Sequence, residues 1–200
     1  MNKILLDLPE VIETPRLKLQ MPTTGYGEKA HAAILDGYED YIRWLSWPTT
    51  PPTVEAVEED CRKHHAEFIL RDWIRYLILD KDSGDVLGRC GFPPFQSNWT
   101  IPQFSISYFI RKSQRAKGYA TEATHAMALL AFQTLNARKV EIHCDVENEA
   151  SARVPVKLNF ALEYTKKGGW PRPDGELAEL TTYSMFSDKD LPDLQSILKD

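Results

Sequence analysis

Two hundred residues, 42% hydrophobic and 26% charged, describe one folded domain (residues 1–200) with a substantial core, and exclude a disordered or fibrous chain. A formal net charge of −5 argues against a general nucleic-acid or anionic-membrane surface, and no run reaches the ~18 apolar residues of a membrane span. Three cysteines, Cys61, Cys90 and Cys144, fit neither a disulfide framework nor a zinc pattern, so no metal is expected and a reducing cytoplasm is the expected location.

The opening MNKILLDLPE carries too short an apolar run for a secretory signal. RLKLQM alternates and predicts a first strand over residues 16–21. Residues 26–45 read as helix with a break at Gly37, followed by the proline-rich loop SWPTTPPT. Thr53 is an N-cap candidate for a long helix to residue 72, on which His64 and His65 lack metal-ligand spacing and read as surface. WIRYLILD, KDSGD and VLGRCGF predict strand, turn and strand. FSISYFI, residues 104–110, predicts a strand running straight into RKSQRAKGYATEA, where the chain becomes helical and places Ala123, Met127, Leu130, Ala131 and Leu135 on one face. KVEIHCDV is a strong strand, EASARVPVKLN a short helix, and ALEYTKK and LTTYSMF are two closing strands about a Gly/Pro-rich turn. The single strand–helix–strand crossover implies a mixed, mostly antiparallel sheet, with residues 108–110 parallel to residues 140–146.

Arg111, Lys112, Arg115 and Lys117 crowd the approach to a helix N-terminus that already carries unpaired amides and about half a positive charge. Such clustering is unfavourable unless an anion visits. A strand–turn–helix with Gly118 at the turn is a phosphate cradle in outline, but no Gly-Lys-Ser/Thr makes it a P-loop and one glycine is too few for a dinucleotide fingerprint.

At SYFIRKSQRAKGYATEA the chain resembles the acetyl-CoA-binding segment of the GCN5-related N-acetyltransferases (GNAT), and within them the RimJ/RimL-like, ribosomal-protein-alanine acetyltransferase branch. IETPRLKLQ, NEASARVPVKLNF and ELTTYSMF agree in the right order, so the resemblance covers about residues 11–187. It implies an α+β GNAT fold, with helices on both faces of the sheet and a splayed parallel strand pair that binds acetyl-CoA. It also implies a primary-amine acceptor, a peptide N-terminus or a small molecule, and a monomer or homodimer that binds neither nucleic acid nor membrane. The cofactor site it implies comprises Tyr108, Phe109 and Ile110 along pantetheine, Arg115, Ala116, Lys117, Gly118, Tyr119, Ala120 and Thr121 about the pyrophosphate, and Asn148 and Ser151 near the thioester.

Acetyl transfer to an amine needs an unprotonated nitrogen, a polarised carbonyl and a proton for the departing thiolate. Many relatives supply that proton from a tyrosine where this chain has Pro155, so Ser151 is the candidate, with Tyr108 beside it. Ser151 also reads as a small packing residue, and Asn148 as a plain N-cap. Relatives often carry a glutamate where this chain has Ser105; Asp145 and His143, on one face of the central strand, are the alternative bases. Trp44, Trp47, Ser105, Glu179 and Tyr183 are candidates for the acceptor side. Glu122, in the first helical turn, reads as structural. Pro155 removes a helical bond to the Ser151 carbonyl and predicts an irregular helix, and Asn159 can take the left-handed conformation at its end. Small-molecule amines such as an antibiotic or polyamine, and a CoA-binding protein without catalysis, remain as alternatives.

Overall fold

A computed structural model describes residues 2–45, 50–172 and 175–198. β1 (Val11–Glu13) and β2 (Leu17–Gln20) lead into three helices, α1 (Gly27–Leu35), α2 (Tyr38–Trp44) and α3 (Val54–Leu70). β3 (Ile74–Asp80) and β4 (Val86–Phe92) form the expected hairpin, and β5 (Ser97–Asn98) and β6 (Gln103–Ser105) a shorter one. β7 (Ser107–Ile110) precedes α4 (Tyr119–Leu129), which ends in a π turn. β8 (Lys139–Asp145), α5 (Glu149–Lys157), β9 (Ala161–Pro171), β10 (Leu177–Met185) and α6 (Leu194–Ile197) complete the order. The α+β class, the helix pair broken at Gly37, and Thr53 capping α3 through the Ala56 amide at 3.2 Å follow the sequence reading.

The strands form two five-stranded halves, β1-β2-β3-β4-β7 and β5-β6-β8-β10-β9. One stretch of chain joins them. β6 runs parallel to β8, pairing Gln103 with Lys139 and Ser105 with Glu141, whereas β7 turns away and pairs antiparallel with β4. The parallel ladder therefore lies at residues 103–105 and not at 108–110. A strand has two edges, and Tyr108 and Ile110 spend one of theirs on Cys90 and Gly88 of β4. The other edge of β7 faces the gap where the two halves diverge.

Alternation along β3 shows how the layers assemble. Leu77 and Leu79 point into an apolar cluster with Ala30, Ala33 and Ile34 of α1 and Val57 and Cys61 of α3. Ile74, Tyr76 and Ile78 point to the other face, against Ala123, Met127 and Ala131 of α4 and its π turn. A strand buried on both faces becomes a continuous apolar run, as residues 76–79 of β3 are. His64 corrects its surface reading: it is 6% exposed, on the α3 face that covers the sheet, with its ring edge against Trp73. Asn159 is left-handed at φ 62°.

Candidate active site

The gap between the two halves opens into a cavity of about 800 Å³. On the α1/α3 face its wall includes Ser105, Ser107, His143 and Asp145; Tyr108, Cys144, Asn148 and Ser151 reach it from the α4/α5 side.

Beyond the far end of β7, Ala116 and Gly118 are both left-handed, at φ 60° and 79°. That conformation turns successive amides the same way, and those from Ala116 through Thr121 have no hydrogen-bond acceptor among the described residues. Gly118 has no side chain to obstruct them; a Cβ there would lie 3.2 Å from Arg16 Nη2. Arg16 is fixed in turn, donating to the Lys117 carbonyl at 2.9 Å and lying 4.7 Å over the Tyr119 ring. Glu122, fully buried, accepts from Thr14 Oγ1 and from Arg16 N and Nε, which makes it the structural anchor between the β1–β2 turn and α4. Ala120 and Thr121 form the first turn of α4.

The cationic approach carries less uncompensated charge than the sequence implied. Asp36 accepts from Arg111 at 3.0 Å and from Ser113, and Asp40 accepts from Arg115 at 2.6 Å with Lys112 at 3.5 Å. Arg115 also donates to the Ile110 carbonyl and lies over the Tyr41 ring, which packs on Phe109. These contacts tie α1 and α2 to the turn. Burial works against ionisation, yet hydrogen bonds from Ser113 and Arg111 hold Asp36 at a pKa of about 2.

On the α5 side, Asn148 caps the helix by accepting from the Ser151 amide at 3.1 Å. The Ser151 hydroxyl lies 3.1 Å from Tyr108 Oη and 3.3 Å from Cys144 Sγ, while Tyr108 Oη donates to the Ser151 carbonyl at 3.0 Å. Burial raises the Tyr108 phenol above its ordinary pKa and pushes Cys144 up to about 11, so all three groups are protonated near neutrality.

The base candidates separate clearly. Both Asp145 oxygens accept from Arg172, at 2.7 and 2.8 Å, and these bonds keep its carboxyl below the usual range although burial opposes them. His143 Nδ1 meets Thr182 Oγ1 at 3.0 Å, and the nearest acid to Nε2, Glu141, is 4.0 Å away. Burial lowers the His143 pKa despite Glu141, leaving a neutral imidazole at pH 7. Ser105 is 1% exposed beside Glu141, which is itself bound by Gln103 and Lys139. Trp44 lines the cavity under the Arg43 guanidinium. Glu179 and Tyr183 are not among the lining residues; Tyr183 packs on the α4-side core. Trp47 lies outside the described residues.

The cavity wall also holds residues the sequence reading passed over: Asp60 of α3, Trp73 just before β3, Arg75 and Arg89 of the β3–β4 hairpin, Phe95, Trp170 at the end of β9, and Arg172. A signal existed for two of them. Arg75 and Arg89 are the cations inside the otherwise apolar WIRYLILD and VLGRCGF, positions that a buried strand fills with charge only for a reason.

The family model described as "Acetyltransferase (GNAT) domain" matches residues 16–161. The chain is 28% identical over 116 residues to the uncharacterized N-acetyltransferase p20 of Bacillus licheniformis, covering 56% of this chain and 61% of that one. It thus spans about three-fifths of that curated relative's length. Its fold superimposes on the microcin self-immunity acetyltransferase MccE, solved with acetyl-CoA and AMP, at TM-score 0.81 and 17% identity over 90% of this chain and 98% of that one. RimL, a ribosomal alpha-N-protein acetyltransferase solved with coenzyme A, gives TM-score 0.79 and 20% identity over 90% and 99%. The chain belongs to the GNAT acetyltransferase family.

Proposed function

We propose that this chain is an acetyl-CoA-dependent N-acetyltransferase acting on a primary α-amine, at a peptide N-terminus or on an amino acid. The observation that carries the reading is the row of unpaired amides from Ala116 to Thr121, which leads along the open edge of β7 into the cavity. A helix N-terminus with free amides suits a pyrophosphate, and an unpaired strand edge suits the amides of pantetheine. Asn148 and Ser151 would meet its far end; Arg115, held by Asp40, is within reach of the phosphates only if it leaves that partner.

The bound thioester supplies an activated acetyl group. His143 accepts the proton that the amine gives up, through Nε2, with Thr182 fixing the ring. Ser151, held in place by its contacts with Tyr108 and Cys144, hands its hydroxyl proton to the departing sulfur and takes one back from solvent as CoA leaves. Asp145 holds Arg172 at the cavity wall.

Charge on the wall weighs against a polyamine acceptor. Three arginines line the cavity, Arg75, Arg89 and Arg172, against two aspartates, Asp60 and Asp145. A polycation would meet an excess of its own sign. The test is calorimetry with CoA, then mass spectrometry of products from acetyl-CoA with α-amines, lysine-like amines and polyamines. CoA binding without transfer to any amine would leave a binding protein, and a polyamine preference would overturn the acceptor class.

A further inference from the structure

The α3-side arm of the cavity holds two guanidinium groups and one carboxylate. Arg89 donates through Nη1 to Asp60 Oδ2 at 2.7 Å, but its Nε and Nη2 are buried without a hydrogen-bond partner. Arg75 approaches the same oxygen no closer than 4.0 Å and has no hydrogen-bond acceptor among the described residues. Its side chain is 15% exposed and lines this cavity, and its guanidinium is stacked 3.8 Å from the Trp73 ring centroid. Each guanidinium carries five N–H donors, so most of the donor capacity here is unused. Buried polar groups are ordinarily satisfied, and buried cations are ordinarily paired.

Nor does the surrounding charge relieve it. Asp145 is committed to Arg172, and of the carboxylates that act on Arg75, Asp60 is held by Arg89 while Glu67 makes no hydrogen bond or ion pair with it. Burial and the neighbouring Arg89 push the Arg75 pKa down to about 9, and the nearby Asp60 and Glu67 offset them only in part. Beside Arg75, Trp73 meets Phe95 edge-on, and Phe95 stacks on Trp170 at 5.9 Å, giving an aromatic wall. Arg75, Gly91 and Ser107 share one row across β3, β4 and β7, so Arg75 starts about two strand spacings, roughly 10 Å, from the gap. Gly91 leaves the middle of that row without a side chain.

We propose that the acceptor carries an oxyanion, a carboxylate or a phosphate, which Arg75 and Arg89 bind while its amine reaches the gap beside His143. The acceptor is then a small amphoteric molecule whose amine and oxyanion lie less than about 10 Å apart. The aromatic wall packs the apolar part of its body. This rests on the acetyltransferase reading and narrows its substrate.

The experiment uses matched pairs differing only in the oxyanion: amino acids against their amides, and aminoalkyl phosphates against the parent amino alcohols. Product is read by mass spectrometry, and binding by tryptophan fluorescence of the CoA-loaded protein, since Trp73 and Trp170 flank the site. The oxyanion member of at least one series should be preferred, the series identifying carboxylate or phosphate. Arg75→Gln should weaken its binding and kcat/KM roughly 10- to 100-fold, the loss of charge-assisted bonds, with CoA affinity and turnover of the neutral member unchanged. Arg75→Lys should recover part of the loss. Equal or better use of the neutral members, or an oxyanion member indifferent to Arg75→Gln, overturns the proposal and leaves the acetyltransferase reading intact. If no amine is acetylated, that reading fails separately, and fluorescence still decides: no Arg75-dependent binding of any oxyanion member sinks the site.

Discussion

The Tyr108 hydroxyl donates to the Ser151 carbonyl, and that carbonyl is the one Pro155 leaves without a helical donor. A proline at position 155 has no amide hydrogen, so the bond that residue 155 would make to residue 151 is missing. The helix nevertheless runs through Pro155 to Lys157, because a side chain from β7 fills the vacancy from 3.0 Å. The same contact fixes Tyr108 against the Ser151 hydroxyl.

Tyr108→Phe should therefore destabilise the fold by about 1 kcal/mol, since it leaves a half-buried carbonyl without its donor. Pro155→Ala restores a backbone donor for that carbonyl. Combined with Tyr108→Phe it should cost less than the sum of the two single changes, and urea unfolding of the four proteins measures the coupling. Strict additivity would show that the Tyr108 contact contributes nothing to the helix.

Ser151→Ala removes the hydroxyl between Tyr108 and Cys144 and should lower kcat more than it raises KM for acetyl-CoA. Steady-state kinetics over both substrates distinguishes this from a packing role, in which kcat is untouched.

The order of the main elements was legible because periodicity and punctuation are local: Gly37, Thr53 and the KDSGD turn announce themselves, whereas the short β1, β5 and α6 and the break between β6 and β7 went unread. The parallel register was not, since which edge of residues 104–110 pairs with β8 depends on where the sheet halves part. His64 was misread because its helix is highly charged, and only the packed fold shows which face α3 lays on β3 and β4. Asp36 and Asp40 were invisible as partners of the basic turn for the same reason; they lie about 75 residues away in sequence.

Coenzyme A affinity should fall at least tenfold in Gly118→Val, because a branched side chain at φ 79° is strained and stands in front of the amides. Asp40→Asn loosens Arg115 from its carboxylate and should tighten CoA, whereas Arg115→Ala should weaken it. Calorimetry on the folded variants checks both signs; unchanged affinity in Gly118→Val would remove the turn from the site.

Stability should fall on mild acidification through the buried histidines. His125, 7% exposed, has Nε2 on the Pro192 carbonyl and a buried, unpartnered Nδ1, and burial lowers its pKa. His143 is lowered likewise. With the folded pKa below the unfolded value of about 6.5, the unfolded chain binds more protons in the interval between them. Stability is then complete above about pH 6.5 and is lost as pH falls toward the folded value. His125→Gln, whose amide can still donate to Pro192, should flatten the change in Tm between pH 7 and 5; an unaltered slope would assign it elsewhere.

The rate profile bears on the acceptor. A peptide N-terminal amine has a reference pKa of about 7.7–8.0 and a lysine-like amine about 10.4, with the amine of a free amino acid, beside its own carboxylate, between them, so near pH 7 only the first is appreciably unprotonated. His143, with its lowered pKa, is already a base at that pH and adds no ionisation of its own above about 6.5. The alkaline rise of kcat/KM should thus follow the acceptor alone. His143→Gln should reduce the rate by ~10²-fold or more without moving that rise, the loss of a general base. Ser105→Glu offers no substitute. It would set a second carboxylate beside Glu141 at a position 1% exposed, raising both carboxyl pKa values and lowering stability before it helped the amine. Full activity in His143→Gln would show that the proton leaves by another route, and a profile rising only toward pH 10 would exclude a peptide N-terminus as the acceptor.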